Sequence, residues 1–504
     1  MTAKTIMVQG TASSVGKSIL VTALCRIFKQ DGYRVAPFKS QNMALNSFVT
    51  SGGGEIGRAQ AVQAEACGIA PTVDMNPILL KPEANMRSQV IVLGKVARHI
   101  QAHKYAEHTP QLLEIARNSL AKLRQEYDVV VIEGAGSTAE VNLQEREIVN
   151  MRIARLADSP VLLVGDIDRG GVFASLIGTL DLLREEERSL VQGLIINKFR
   201  GEKALFKSGV DFLEAKTGKP VLGVIPFLDN LGIAQEDSVF LDEKPHTSGE
   251  GLKVVIIRVP HTANYDDFDP WQSTGCDVKY VSRASEVGRP DLLILPGTKS
   301  TIHDMLFLKQ QGIDRVIQNL AAEGIPIIGV CGGFQLLGKT IRDPLQVESS
   351  GEEAEGLGLL PVETVFAATK STAQVTARII CNKGLLKGLS DCAVSGYEIH
   401  MGQTLNPQIA PLGWVFQSPL NAGGYFDGCV NESGLVFGTY LHGIFHNAAF
   451  MDGLLKNLRE MKGLPPVSVV IKSQEEEYDR LADRMRANLD VDRIYAIMGL
   501  NLKK

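Results

Sequence analysis

A short apolar run, Thr5 to Val8, opens into Gly10-Thr11-Ala12-Ser13-Ser14-Val15-Gly16-Lys17-Ser18 and then into a stretch carrying Val21, Leu24, Cys25 and Phe28 at helical spacing. Strand, glycine loop and helix in that order turn backbone N–H groups and a helix N-terminus toward one point, which makes a cradle for phosphate. Gly10, Thr11 and Gly16 are expected to wrap the phosphates of ATP, Lys17 to add positive charge, and Ser18 to hold Mg²⁺ through its hydroxyl. Five residues separate Gly10 from the Gly16-Lys17 pair, one more than the common loop has, so the loop is a variant. A plain glycine turn with an exposed lysine is the alternative.

Such a loop needs a parallel sheet behind it. Val129 to Ile132, Val161 to Val164, Leu194 to Ile196 and Val221 to Ile225 are short β-branched runs alternating with longer amphipathic stretches. The fold class expected is therefore α/β, with an N-terminal doubly wound, mostly parallel sheet. Sheets of this kind bind ligands at the carboxyl ends of their strands. Glu133 leaves one such end into Gly134-Ala135-Gly136 and is expected beside Ser18 as a metal ligand; a solvated acid is the alternative. Asp166 and Asp168 leave another and are expected to touch substrate or metal, against a bland Asp168–Arg169 surface arrangement. Lys39, after Val35 to Phe38, is placed to neutralise phosphate or carboxylate.

Between Asp229 and Gly251 the pattern lapses into a polar, acidic stretch, and a second α/β series follows: Val254 to Val259, Val278 to Val281, Leu292 to Leu295 and Ile325 to Val330. The expected domains are 1–235, 250–448 and a helical extension over 449–504. From Leu357 to Tyr440 helical periodicity fades into strand-like segments. Ser473 and Glu476 make a capping box ahead of Tyr478, Leu481, Met485 and Leu489, a terminal helix with no chemistry of its own.

In the second series Ile325 to Val330 runs into Cys331-Gly332-Gly333-Phe334-Gln335. A nucleophile at a sharp strand-to-helix turn projects into an active site, and small neighbours permit the strained backbone that an elbow needs. A thiolate also needs a base, and His442 stands directly after a strand-like segment in Gly438-Thr439-Tyr440-Leu441-His442-Gly443. The loop carrying Gly297 follows Leu292 to Leu295, so its backbone is placed to stabilise an oxyanion, with the Gly332 N–H as a second donor.

Bulk properties remove other classes. Net charge is −5, which gives no basic field for nucleic acid. Seven cysteines include no Cys-x-x-Cys pair, which suits a reducing cytosol rather than a disulfide framework. No apolar run approaches the roughly 18 residues of a membrane span. The expectation is a cytoplasmic chain with small-molecule partners, no nucleic acid and no membrane; a homo-oligomer is compatible with this.

The lengthened loop resembles that of dethiobiotin synthetase and related amide synthases, and Gly329-x-Cys331-x-Gly333-x-Gln335 matches the nucleophile elbow of class I glutamine amidotransferases. Over nearly its full length the chain resembles the cobyric acid synthases. The segments that carry this are Gln9 to Ser18, Phe38-Lys39-Ser40-Gln41-Asn42-Met43-Ala44-Leu45-Asn46-Ser47, Asp166-Ile167-Asp168-Arg169-Gly170-Gly171-Val172-Phe173-Ala174-Ser175 and Gly396-Tyr397-Glu398-Ile399-His400-Met401-Gly402.

The resemblance implies glutamine as ammonia donor, ATP with Mg²⁺, and a corrinoid substrate, adenosylcobyrinic acid a,c-diamide, amidated at its b, d, e and g carboxylates. It implies a glutamine contact for Gln335, and an adenine contact for Asn197. Such families carry a glutamate two places after the histidine, and here that place holds Ile444. Either the pair acts as a dyad or another group orients the imidazole, with Glu398 and His400 as candidates. Three readings compete: the sister enzyme that amidates the a and c carboxylates, a switch ATPase joined to a partner-binding module, and a cysteine hydrolase with an incidental nucleotide domain.

Overall fold

The structure is a computed structural model and describes residues 2–83, 87–229, 231–234, 251–349, 353–405, 409–467 and 473–501. The expected boundary between 229 and 251 lies for the most part outside them.

The first domain is built on a six-stranded sheet in the order Val221–Pro226, Val191–Phe199, Val161–Asp166, Lys4–Gly10, Val129–Glu133 and Val35–Phe38, parallel throughout. Apolar side chains alternate between its two faces. Met7, Val130 and Ile132 enter one core, while Ile6, Val8, Val129 and Val131 enter the other. Both faces are buried, which is why the strands read as continuous β-branched runs. The Lys17–Gln30 helix covers the second face with Leu20, Val21, Leu24, Ile27 and Phe28. The strand Lys4–Gly10 lies between strands reached by connections running in opposite directions, so the crevice for a ligand opens at its carboxyl end.

Between Phe38 and the next sheet strand the chain inserts a small sheet of Gln41–Met43, Ile78–Glu83, Arg87–Val92 and Lys95–Gln101, and a hairpin of Ser47–Val49 with Glu55–Gly57. This insertion is the surface that the second domain meets.

The second domain has its own sheet, in the order Asp277–Val281, Lys253–Ile257, Leu292–Leu295, Ile327–Val330, Val436–Thr439 and the short antiparallel Cys429–Val430. A long antiparallel pair, Glu363–Ile379 with Ala393–Leu405, belongs to a separate sheet in the same domain. The tail divides between the domains. The Ala448–Met461 helix buries Phe450, Met451, Leu454, Leu455 and Leu458 in the second core, whereas Gln474–Arg486 and Val491–Met498 return to pack Tyr478, Leu481, Met485 and Tyr495 over Leu24 and Phe28 of the first. Ser473 is the residue at the cap position of Gln474–Arg486, but its side chain makes no capping bond.

Candidate functional site

Two sites emerge, one at the carboxyl edge of each sheet. In the first, the Lys17 ammonium donates to the carbonyls of Ala12 and Gly136, both at 3.0 Å, and so ties the glycine loop to the turn behind Glu133. Gly16, at φ 98, caps the following helix, and a Cβ there would fall 2.1 Å from Asn197 Nδ2. Only glycine fits that conformation and that approach. Gly10 ends the strand beside Val164, whose carbonyl accepts the Thr11 N–H at 3.0 Å.

Glu133 sits beside the loop because its strand pairs directly with Lys4–Gly10, placing it opposite Val8. Its Oε1 accepts from Ser18 Oγ and from Lys39 Nζ, each at 2.9 Å, and its Oε2 accepts from Gln63 Nε2 at 2.5 Å. Ser18, Lys39 and Glu133 are thus one cluster, with Glu133 1% and Lys39 4% exposed. A hydroxyl and a carboxylate sharing one point are hard oxygen donors, and a Mg²⁺ that takes the rest of its shell from water and phosphate needs no more than one or two protein ligands. The residues fit that ion. No group of three or more His, Cys, Asp or Glu side chains that could cage a metal occurs among the described residues.

The other first-domain candidates stand further out. Asp166 pairs with Lys198 at 2.9 Å and the exposed Asp168 with Arg200 at 2.6 Å, both partners coming from the end of the neighbouring strand. Asn197 donates to the Val15 carbonyl at 2.8 Å and supports the glycine loop from within.

In the second domain Cys331 and His442 follow the adjacent parallel strands Ile327–Val330 and Val436–Thr439, and Gly297 follows the strand on the other side. Cys331 is held at φ 50, ψ −108, immediately before the Gly332–Leu337 helix. The conformation costs of order 1–3 kcal/mol and is imposed by packing on every side. A Cβ on Gly333 would lie 2.1 Å from the Leu295 carbonyl oxygen, and one on Gly332 would lie 2.7 Å from the Thr298 nitrogen. The elbow is therefore pressed against the Gly297 loop. A Cβ on Gly297 would in turn lie 3.2 Å from His442 Cε1 and 3.8 Å from Cys331 Cβ, so thiol, imidazole and loop converge.

Together they line a cleft enclosing about 450 Å³, counting the open solvent at its mouth, along with Gln335, Lys81 and Lys370. Gln335 has both ends of its amide engaged: Thr301 Oγ1 donates to Oε1 at 2.9 Å, and Nε2 donates to the Tyr440 hydroxyl at 3.3 Å.

His442 Nδ1 lies 2.6 Å from Asp267 Oδ2, and the ring stacks on Tyr397 with centroids 5.2 Å apart. Nε2 is buried and makes no hydrogen bond of ordinary geometry. Burial alone would lower the imidazole pKa, but the Asp267 carboxylate, with Cys331 beside it, outweighs burial and pushes it up to about 10. The two side chains suggested for the orienting role engage other partners. Glu398 accepts from the Tyr425 hydroxyl at 2.9 Å, and His400 stacks on Tyr440 and bonds the Gly402 carbonyl at 2.7 Å. Asp267 was invisible to sequence reasoning because it lies 175 residues before His442. The available signal was a run of acids interleaved with aromatics, Tyr265-Asp266-Asp267-Phe268-Asp269, close after an apolar strand.

No helix among the described residues is long and apolar enough to cross a membrane. Residues 6–239 match the family model of the CobQ/CobB/MinD/ParA nucleotide binding domain, and residues 253–450 match that of the CobB/CobQ-like glutamine amidotransferase domain. The chain is 57% identical to the cobyric acid synthase of Dehalococcoides mccartyi strain CBDB1, covering 99% of this chain and 100% of that one. It is 50% identical to the cobyric acid synthase of Desulforamulus reducens, covering 99% and 98%, and 51% identical to that of Caldanaerobacter subterraneus, covering 98% of each. At that identity, over both domains at once, the chain belongs to the cobyric acid synthase family.

Proposed function

We propose that this chain is a cytosolic, glutamine-hydrolysing amide synthase that uses ATP to amidate the b, d, e and g carboxylates of adenosylcobyrinic acid a,c-diamide. The observation that carries the reading is one chain holding both a thiol and an imidazole on adjacent strand ends and a Lys17 loop closed over Glu133. The full-length likeness to cobyric acid synthases supports the corrinoid substrate.

At the second site the Cys331 thiolate adds to the glutamine carboxamide carbon. The oxyanion forms against the Gly297 loop and the Gly332 N–H, where fixed dipoles stabilise developing charge without reorganising. His442 gives its proton to the departing nitrogen, ammonia leaves, and a water attacks the thioester with the imidazole as base. Glutamate is released and the thiol is restored.

At the first site the substrate carboxylate attacks the γ-phosphorus of ATP, the bond from that phosphorus to the β-phosphate oxygen breaks, ADP leaves, and the carboxylate becomes an acyl phosphate. Lys17 and Lys39 balance the negative charge of the transferring group, and the loop amides hold the remaining phosphates. Ser18 Oγ and Glu133 are the side chains that would hold a Mg²⁺, which would supply further charge neutralisation. Ammonia then attacks the acyl carbon, and phosphate leaves as the amide forms.

Two variants test the division of labour. Cys331→Ala is expected to lose synthesis from glutamine and keep synthesis from ammonium salts at raised pH, whereas Lys17→Ala loses both. A folded Cys331→Ala protein that still releases glutamate from glutamine would refute the reading.

A further inference from the structure

The position two places after His442 cannot orient it. Ile444 is 1% exposed and packed in the second core. Asp267 occupies the place that such a group would take. One of its oxygens lies 2.6 Å from His442 Nδ1, and the other accepts the Gly443 N–H at 2.7 Å. A carboxylate that grips both the ring and the backbone beside it holds the proton on Nδ1 and leaves Nε2 to exchange a proton with the thiol. We propose that Asp267 is the positioning residue of the Cys331–His442 site, supplied from a turn on the opposite side of the second domain's sheet sequence.

The turn that carries Asp267 is itself held by the first domain. Asn264, at φ 51, accepts the Ser47 N–H at 3.0 Å; the Tyr265 N–H donates to Asn46 Oδ1 at 3.2 Å; Asp266 pairs with Arg58 at 2.9 Å. The Asp267 N–H closes the turn on the Asn264 carbonyl at 3.2 Å. Tyr397, stacked on the imidazole, donates its hydroxyl to the Ser47 carbonyl at 3.2 Å. Each residue of the turn before Asp267 is thus tied to the Asn46–Arg58 stretch of the nucleotide-binding domain. The ionisable groups nearest the imidazole are Asp267, Cys331 and the Tyr397 phenol, with Asp266 behind Asp267, and Lys81, Lys299, Glu348, Lys370 and His400 line the same cleft.

This inference rests on the glutaminase reading of Cys331 and His442, and the experiment separates the two. Full-length Asp267→Asn and Asp267→Glu are compared with the parent for glutamate release across pH and for synthesis driven by ammonium salts. In Asp267→Asn the amide turns a donor toward Nδ1 and favours the wrong tautomer, so kcat for glutamate release falls about 10²-fold or more with KM for glutamine little changed. The alkaline limb of kcat/KM moves to lower pH, because the imidazolium has lost the carboxylate that stabilises it. Ammonium-driven synthesis is retained, and Asp267→Glu recovers part of the loss. Unchanged kcat and an unchanged alkaline limb in Asp267→Asn would overturn the proposal. So would parallel loss of glutamine- and ammonium-driven synthesis, which would make Asp267 a residue of the fold. Glutamate release surviving in Cys331→Ala would instead overturn the underlying reading.

Discussion

Lys39 Nζ and Ser18 Oγ share a single oxygen, Oε1 of Glu133, each at 2.9 Å, beneath the phosphate loop and almost out of reach of water. Removing one member of a buried ion pair takes the compensating charge from the other, at a cost of about 3 kcal/mol. Glu133→Gln is therefore expected to lower the urea midpoint and to abolish synthesis from glutamine and from ammonium alike. Adding Lys39→Met removes the ammonium that then faces the neutral amide. The double variant recovers most of the lost stability and none of the synthesis, which equilibrium unfolding and amide assays read separately.

Gly333 is needed for space. Its missing side chain would meet the Leu295 carbonyl at 2.1 Å and the Pro296 oxygen at 2.8 Å, both backbone atoms that cannot swing aside. Gly333→Ala must therefore push the Cys331 elbow off the Gly297 loop, at a cost of about 1–3 kcal/mol. We expect a lower thermal midpoint and a loss of glutaminase activity larger than the loss of ammonium-driven synthesis.

The domain interface carries buried charge. Glu55 of the insertion is bonded by Lys81 at 2.9 Å and by Lys370 of the second domain, and Glu83 by Lys299 of the second domain at 3.0 Å. Burial would raise both carboxyls, but the ammonium groups, with His99 on Glu83, override it and hold each down to about 2. Lys370 is itself pushed down to about 8 by burial and by Lys81 and Lys299, so Glu55's shift alone overstates the worth of its pair. A carboxyl depressed in the folded state contributes stability that is fully present above its ordinary value near 4.5 and disappears as pH falls through about 2. Urea midpoints are expected to fall across that window, with a shallower slope in Lys370→Met.

The sheets, the phosphate loop and the Cys331 elbow were legible because a strand buried on both faces is a β-branched run, and glycine marks each point where backbone approaches backbone. Val129 to Ile132 could be placed beside the first strand, and Cys331 on a turn, from such runs alone. The insertion could not. Gln41–Met43, Ser47–Val49 and Glu55–Gly57 are three residues each, too short for any period to declare itself, and Lys95–Gln101 is mostly polar and exposed. Asp267 was hidden for a different reason. Consecutive acids in a loop read as a solvated surface, whereas here Asp266 and Asp267 are 4% and 1% exposed, with the first domain's Asn46–Arg58 stretch tied to their turn.

That closure makes Arg58 the test of how far the two sites depend on each other. Its guanidinium lies 2.9 Å from Asp266 and 3.1 Å from Glu65, over the Phe48 ring at 5.2 Å, so it joins the insertion, its following helix and the Asp267 turn at one point. Burial raises the Asp266 pKa, Arg58 works against burial, and the neighbouring Asp267 adds to it. Without Arg58, Asp266 loses its ion-pair partner while Asp267 stays beside it, and the turn relieves the repulsion by protonating Asp266 or by shifting. Arg58→Met keeps most of the side chain's volume and removes the charge. It is expected to cost about 3 kcal/mol of stability and to reduce glutamine-driven synthesis more than ammonium-driven synthesis, since the Lys17 loop and Glu133 are untouched. Equal reduction of the two rates would mean that Arg58 serves only to hold the domains together, with no path from the interface to the imidazole.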